Sequence, residues 1–271
     1  MPEPIAPSLP SFFEVGEPPR RLACRVRRGG SPGLFWLSGF GSNMDGHKAG
    51  ALDVYAERNG LAYARFDYSG HGLSAGNFAD GTISDWLEEA TFAFEKLTGG
   101  PQIVVGSSMG GWIALLLAAK LHAAGNSRIA GMVLIAPATD MTEELMWQRM
   151  TRKVRKEIQA SGRLLGAPDA PQGENTITLK LIEDGRKHLF GDRPIEVGCP
   201  VHILQGQLDE SVPWSHATKL AERLASDDVV LTLVKDGDHR LSRPEDLDRL
   251  FAAIDGLRVE TGLEKGAPTD R

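Results

Sequence analysis

Two serines stand side by side in VVGSSMGGW, residues 104–112, between an apolar run and a small-residue helical pattern. Only one frame of this stretch suits nucleophilic chemistry. Gly106-Ser107-Ser108-Met109-Gly110 reads G-x-S-x-G with Ser108 at its centre, whereas centring on Ser107 would demand glycine in place of Val105 and Met109. Small residues two before and two after a nucleophile let a strand and a helix approach closely around a sharp turn. That turn projects the central Oγ into a cleft and aims the following N–H at a substrate oxygen. Ser107 is then a residue the turn passes through.

A serine hydroxyl is a weak nucleophile at neutral pH and needs a base within hydrogen-bond reach, with a carboxylate to fix that base's tautomer. Around a turn of this kind the partners follow in the order serine, acid, histidine. His239, in VKDGDHRLSRPE, follows the last strand-like run in a polar loop and is the expected base. For the other six histidines a surface or packing role is expected: His47 and His71 precede the serine, His122 and His216 fall in helical patterns, His202 in a strand and His188 in the expected cap. Asp209, in LQGQLDESVPW, comes just after the penultimate strand-like run and is the expected acid. Asp140, after the preceding strand, and Asp236 and Asp238, crowded into the loop of His239, are the alternatives.

Acyl transfer also needs two preset N–H donors for the developing oxyanion, each worth about 2.7–4 kcal/mol of transition-state stabilisation. The Met109 N–H is one candidate. The Phe40 N–H, in LSGFGSNMDGHK, is the other, set against the plainer reading of SGFGS as a glycine turn. Trp112, Trp147 and Trp214, together with Trp36, are candidate pocket linings and compete with ordinary core roles. The glycines Gly39, Gly41 and Gly46 break the spacing of a dinucleotide fingerprint. No His, Cys, Asp or Glu cluster has metal-ligand spacing, so neither a metal nor a cofactor is expected.

The elements that must hold these residues alternate. RLACRVRR, GLFWLSGF and LAYARFDYSG read as strands, with a helical pattern over GHKAGALDVYAERNG and another over TISDWLEEATFAFEKLTGG, for which Ser84 is the expected N-cap. QIVVG, IAGMVLIAPA, CPVHILQGQ and VVLTLVKDG continue as strands separated by helical stretches, which predicts a mostly parallel central sheet with helices on both faces. The rhythm breaks once, where Met146, Met150, Val154 and Ile158 recur every four residues in a basic stretch before the Gly/Pro/Ala-rich SGRLLGAPDAPQGEN. The predicted organisation is an α/β core over 1–140 and 197–258, an inserted helical cap over 141–196 and a flexible tail over 259–271. The basic run RMTRKVRK reads as a solvated helix face, with attraction of an anionic leaving group as the rival reading.

The chain has 271 residues, 41% of them hydrophobic, and a formal net charge of −6. It is long enough for one large core, and its mild acidity argues against nucleic acid as a partner. Two cysteines, Cys24 and Cys199, are too few for a disulfide framework and read as buried thiols of a reducing compartment. With no basic start followed by an apolar stretch and no run long enough to span a membrane, a cytoplasmic protein is expected.

Taken together, these residues resemble the α/β-hydrolase superfamily. More narrowly, FDYSGHGLSAGN, GSSMGGW and CPVHILQGQLDESVPWSHATKLAERL with DGDHR are similar to a family of mitochondrial abhydrolase-domain thioesterases and acyl-glucuronide esterases and its bacterial relatives. The resemblance spans about Leu34 to His239 apart from the cap. It implies an α/β-hydrolase fold with Ser108 as nucleophile, Asp209 as acid and His239 as base, acting on a small-molecule ester or thioester or on an acylated protein. An aminopeptidase, a carbon–carbon bond hydrolase and a non-catalytic binding protein are the competing expectations. Dehalogenase and epoxide hydrolase chemistry is disfavoured because each needs a carboxylate where Ser108 stands. Oligomeric state is not legible.

Overall fold

The computed structural model describes residues 9–164, 176–225, 228–260 and 262. Apart from positions 259, 260 and 262, the tail expected at 259–271 lies outside the described residues, as does most of SGRLLGAPDAPQGEN.

In chain order the core runs β1 (Ser11–Val15), β2 (Arg20–Arg27), β3 (Gly30–Leu37), α1 (His47–Arg58), β4 (Leu61–Phe66), α2 (Ile83–Leu97), β5 (Gln102–Ser107), α3 (Met109–Ala123) and β6 (Ile129–Ile135). A segment inserted after β6 carries a π-type turn (Thr142–Trp147), α4 (Arg152–Ser161), a short hairpin of β7 (Arg163–Leu164) and β8 (Ile177–Thr178), and α5 (Leu179–Gly185). The core resumes with β9 (Val201–Gly206), α6 (Trp214–Arg223), β10 (Val229–Val234) and α7 (Pro244–Glu260).

Eight strands form one sheet in the order β1-β2-β4-β3-β5-β6-β9-β10. The pairings β1/β2 and β2/β4 are antiparallel, and those from β4 to β10 are parallel. The mostly parallel sheet expected from the sequence is thus the observed one. Every residue of β5 is buried, which is why it reads as a continuous apolar run rather than an alternating one. Successive side chains still point to opposite faces. Leu34 and Trp36 of β3 join Ile103 and Val105 of β5 under α1 and α7, while Phe35 and Leu37 join Val104 under α2 and α3. At about 1.5–3 kcal/mol for each large apolar side chain withdrawn from water, these two layers are the main favourable term in the fold.

The chain steps from β3 to β4 in one direction and from β4 across to β5 in the other, so the strand order reverses between β3 and β5. In open α/β sheets the crevice outside the carboxyl ends of the strands at such a reversal is where ligands bind. The loop after β3 and the turn after β5 both open there.

One local expectation needs correction, and two features go beyond the sequence reading. The lead before Arg20 contains a strand, β1, which pairs with β2 through Ser11 opposite Cys24 to Val15 opposite Arg20. Helix α2 is capped by Thr82, whose Oγ1 accepts the Asp85 N–H at 3.1 Å. Ser84 instead donates its hydroxyl to Asp184 Oδ1 at 2.8 Å and accepts from His188 Nε2 at 2.7 Å, joining the inserted segment to α2. Finally, the stretch from Met146 to Ile158 is divided between the π-type turn and α4. The Thr151 hydroxyl accepts the Val154 N–H and starts α4 afresh after the π-type turn.

Candidate active site

Ser108 sits between the last residue of β5 and the first of α3, with φ 54° and ψ −119°. That left-handed backbone is strained for a residue with a Cβ, at a cost of order 1–3 kcal/mol. The flanking glycines make the turn sterically feasible. A Cβ on Gly106 would lie 2.4 Å from the Gly110 carbonyl oxygen, and one on Gly110 would lie 2.1 Å from the Leu37 carbonyl oxygen. The Ser108 N–H is anchored on the Ile135 carbonyl oxygen at 2.9 Å, so the turn is held by the end of β6.

The structure brings His239 and Asp209 to this serine. His239 Nε2 lies 3.1 Å from Ser108 Oγ, within the reach required of a general base. Its Nδ1 donates to Asp209 Oδ2 at 2.7 Å. Asp209 follows β9 and its side chain is wholly buried. Its Oδ1 accepts the Ser211 and Val212 N–H groups at 2.9 and 2.8 Å, and Oδ2 also accepts from Gln205 Nε2 at 3.2 Å. Burial alone would raise this carboxyl. The hydrogen bond from His239 and the Val212 N–H outweigh it and hold Asp209 below the usual carboxylate range.

The alternative acids lie in other settings. Asp140 is buried and accepts the Phe190 and Gly191 N–H groups. Asp236 pairs with Arg243, and Asp238 Oδ1 caps the backbone of Arg240 and Leu241.

The loop after β3 faces the serine. As the first residue of α3, Met109 has no intrahelical acceptor for its N–H. The Phe40 N–H lies in the turn closed by the Ser42 N–H on the Gly39 carbonyl oxygen at 3.0 Å, and it donates to no backbone acceptor among the described residues. Asp67 ties this loop to the one after β4, accepting Met44 N–H at 2.6 Å and Leu73 N–H at 2.8 Å. His71, expected only to pack, is buried beside the same turn, with Nε2 3.2 Å from the Gly41 nitrogen.

Ser108 opens into a cleft of about 690 Å³ whose walls include Trp36, Phe40, His47, Lys48, His239 and Arg240. No Asp or Glu side chain lines it among the described residues. The Lys48 ammonium donates to the Arg240 carbonyl oxygen, and burial lowers its pKa to about 8. Of the four tryptophans expected to line a pocket, Trp36 alone borders this cleft, beside Phe40. Trp112 is fully buried in the core, Trp214 is 45% exposed at the start of α6, and Trp147 packs against the guanidinium groups of Arg155 and Arg186. None of the described residues of 141–196 lines the cleft. The inserted segment instead reaches the acid loop, where Arg149 donates to the Ser211 carbonyl oxygen at 2.9 Å.

Cys24 and Cys199 are buried, unpaired thiols. No group of three or more potential metal ligands exists among the described residues, and no described helix is long and apolar enough to cross a membrane.

The chain is similar to known proteins over most of its length. The sequence profile of the family described as serine aminopeptidase S33 matches residues 38–184. The Mus musculus protein named palmitoyl-protein thioesterase ABHD10, mitochondrial, is 36% identical over 252 residues, covering 91% of this chain and 82% of the relative. Among solved structures, a putative hydrolase from Agrobacterium vitis S4 shares 45% identity with a TM-score of 0.87, covering 93% of this chain and 99% of that one. Mouse alpha/beta hydrolase domain-containing protein 10 shares 34% identity with a TM-score of 0.84, covering 93% of this chain and 99% of its own. The mammalian thioesterase relatives overturn one expectation: those of Mus musculus, Rattus norvegicus and Bos taurus are named as mitochondrial proteins, against the cytoplasmic placement drawn from cysteine usage and from the expected lack of a signal or membrane span.

Proposed function

Because this chain belongs to the α/β-hydrolase family described as serine aminopeptidase S33, we propose that it cleaves carboxylic esters and acyl thioesters through an acyl-enzyme on Ser108. The observation that carries this reading is the hydrogen-bonded relay from Ser108 Oγ through His239 to Asp209, at 3.1 and 2.7 Å.

Ser108 Oγ attacks the acyl carbon as His239 Nε2 takes its proton, and the Met109 and Phe40 N–H groups receive the oxyanion. As the tetrahedral adduct collapses, His239 returns the proton to the departing oxygen or sulfur. Water activated by the same imidazole then attacks the acyl-serine, and its collapse restores the hydroxyl. Asp209 stays ionised throughout, fixing the imidazole tautomer and stabilising the imidazolium. In this division of labour the described residues of 1–140 and 197–258 form the catalytic core, and those of 141–196 form an inserted cap fastened to it.

Two observations favour esters and thioesters over the peptides in the family's description. The relatives' printed name is that of a palmitoyl-protein thioesterase. In addition, an aminopeptidase must hold a free α-ammonium, which calls for a carboxylate, whereas the ionisable side chains lining this cleft are His47, Lys48, His239 and Arg240. Arg240 flanks the base that must reach the leaving atom. This placement favours leaving groups that carry an anion near the scissile bond.

A panel of p-nitrophenyl esters, acyl thioesters and aminoacyl amides assayed with one enzyme preparation tests the reading. Turnover of esters and thioesters with amides at background is the expected result. Preferential cleavage of aminoacyl amides would overturn it.

A further inference from the structure

His71 is a buried histidine, 3% exposed, in the loop between β4 and α2, and it takes no part in the proton relay. Its Nε2 lies 3.2 Å from the Gly41 backbone nitrogen, and its Nδ1 lies 3.1 Å from the Ser69 carbonyl oxygen. These partners dictate its tautomer. A carbonyl oxygen can only accept and an amide N–H can only donate, so Nδ1 carries the hydrogen and Nε2 offers its lone pair.

The ring is held by aromatic neighbours that also hold the oxyanion turn. Phe78 and Trp86 pack on His71 at centroid distances of 4.9 and 5.3 Å, and on Phe40 at 4.7 and 6.0 Å. The Phe40–Gly41 segment is therefore gripped twice, by the Phe40 ring in this cluster and by the Gly41 N–H on Nε2. Burial, only partly offset by the hydrogen bond to Ser69, lowers the pKa of His71 and keeps the ring neutral. A protonated ring would set two N–H donors face to face at this contact.

We propose that His71 is a positioning residue for the oxyanion site: as the Nδ1–H imidazole it accepts the Gly41 N–H and so fixes the Phe40 N–H in the orientation an oxyanion requires. The proposal rests on the acyl-transfer reading above. A residue that only fills space could be replaced by another ring of similar size. A residue that supplies a lone pair could not, yet it could be replaced by a side-chain carbonyl at the same reach.

The test compares His71→Phe, His71→Gln and Ser108→Ala on p-nitrophenyl butyrate, with the affinity of a trifluoromethyl ketone whose adduct carries the oxyanion, and with thermal melts. Losing an oxyanion donor outright costs 10²–10³ in kcat, and loosening one costs less. His71→Phe is therefore expected to lower kcat by about 10- to 100-fold, with KM little changed and ketone affinity falling in parallel. His71→Gln, whose Oε1 can accept the Gly41 N–H, is expected to recover most of both. Unchanged kcat and ketone affinity in His71→Phe would overturn the role, as would a His71→Gln enzyme no better than His71→Phe. Nitrogen-15 NMR of the imidazoles in the unmutated protein keeps the test independent of how the variants fold: a His71 Nε2–H tautomer overturns the proposal, and Nδ1–H supports it. Wild-type turnover by Ser108→Ala would instead remove the acyl-transfer reading itself.

Discussion

Gly206, at the end of β9, and Gly237, in the loop after β10, meet backbone against backbone. A Cβ on Gly206 would lie 2.3 Å from the Gly237 carbonyl oxygen, and the same oxygen accepts the Leu208 N–H at 2.9 Å. This contact sets the approach of the two loops that carry Asp209 and His239. A Gly206→Ala substitution is therefore expected to push the loops apart and lower kcat/KM by about 10²-fold, the typical consequence of displacing a catalytic group by about 1 Å. Steady-state kinetics beside a melting curve check it. Wild-type kinetics with a wild-type melting temperature would show that the contact is dispensable.

Asp209 accepts a charge-assisted bond from His239 and is held ionised below the usual carboxylate range. Asp209→Asn, which permits the wrong imidazole tautomer while leaving the packing in place, is expected to lower kcat by about 10⁴-fold. The linkage sign follows from a depressed folded-state pKa. Asp209 contributes stability that is fully present above the unfolded value of about 4 and is lost as pH falls through the lower folded value. Melting temperatures of wild type and Asp209→Asn should therefore converge below about pH 4. A gap that widens on acidification would contradict the assignment of the shift.

Lys48 is a partly buried ammonium at the cleft wall, and desolvation lowers its pKa to about 8. Because the folded value lies below the unfolded one, the charged form destabilises the fold at neutral pH, and the penalty fades as pH rises from about 8 toward the unfolded value of about 10.4. Lys48→Met is expected to raise the melting temperature at pH 7 while weakening the preference for anionic leaving groups that Lys48 shares with Arg240. In wild type that preference should decline above about pH 8 as the ammonium loses its proton. A charge preference undiminished in Lys48→Met would assign it elsewhere.

The inserted segment is fastened to the core at Ser84, whose N–H and hydroxyl both donate to the Asp184 carboxylate at 2.8 Å. Bonds to a charged partner of this kind are worth about 1.5–3 kcal/mol each. Ser84→Ala removes one of the two. It is expected to lower the melting temperature modestly and to speed amide exchange in α5 more than in β5. Uniform exchange changes across both elements would argue against a local fastening.

Much of the candidate site was legible because the residues proposed for it follow strand ends. Ser108, Asp209 and His239 each come just after an apolar run that forms a parallel strand, and a parallel sheet delivers all its carboxyl ends to one edge. The glycine frame also separated Ser108 from Ser107 on steric grounds that the contacts of Gly106 and Gly110 now make explicit. The tryptophans were not separable in this way. Helix α3 is apolar nearly all round because it is covered on several sides, so periodicity alone could not tell Trp112 in the core from a residue facing a cleft. His71 carried no catalytic spacing, and the role proposed for it rests on a backbone partner, Gly41, that sequence patterns do not display. Ser84 and Thr82 are both competent caps, and the choice was made by Asp184, a hundred residues away. Two separate buried thiols carry no information about the compartment, which is why the cysteine reading could not place the chain.

The most direct test of the central claim is steady-state hydrolysis of an acyl thioester by Ser108→Ala, with folding checked by its melting curve. If Ser108, His239 and Asp209 act as a unit, kcat should fall by about 10⁶-fold in a protein that melts as the wild type does. A folded Ser108→Ala enzyme turning over within about ten-fold of wild type would contradict the claim, because no loss of that nucleophile could cost so little.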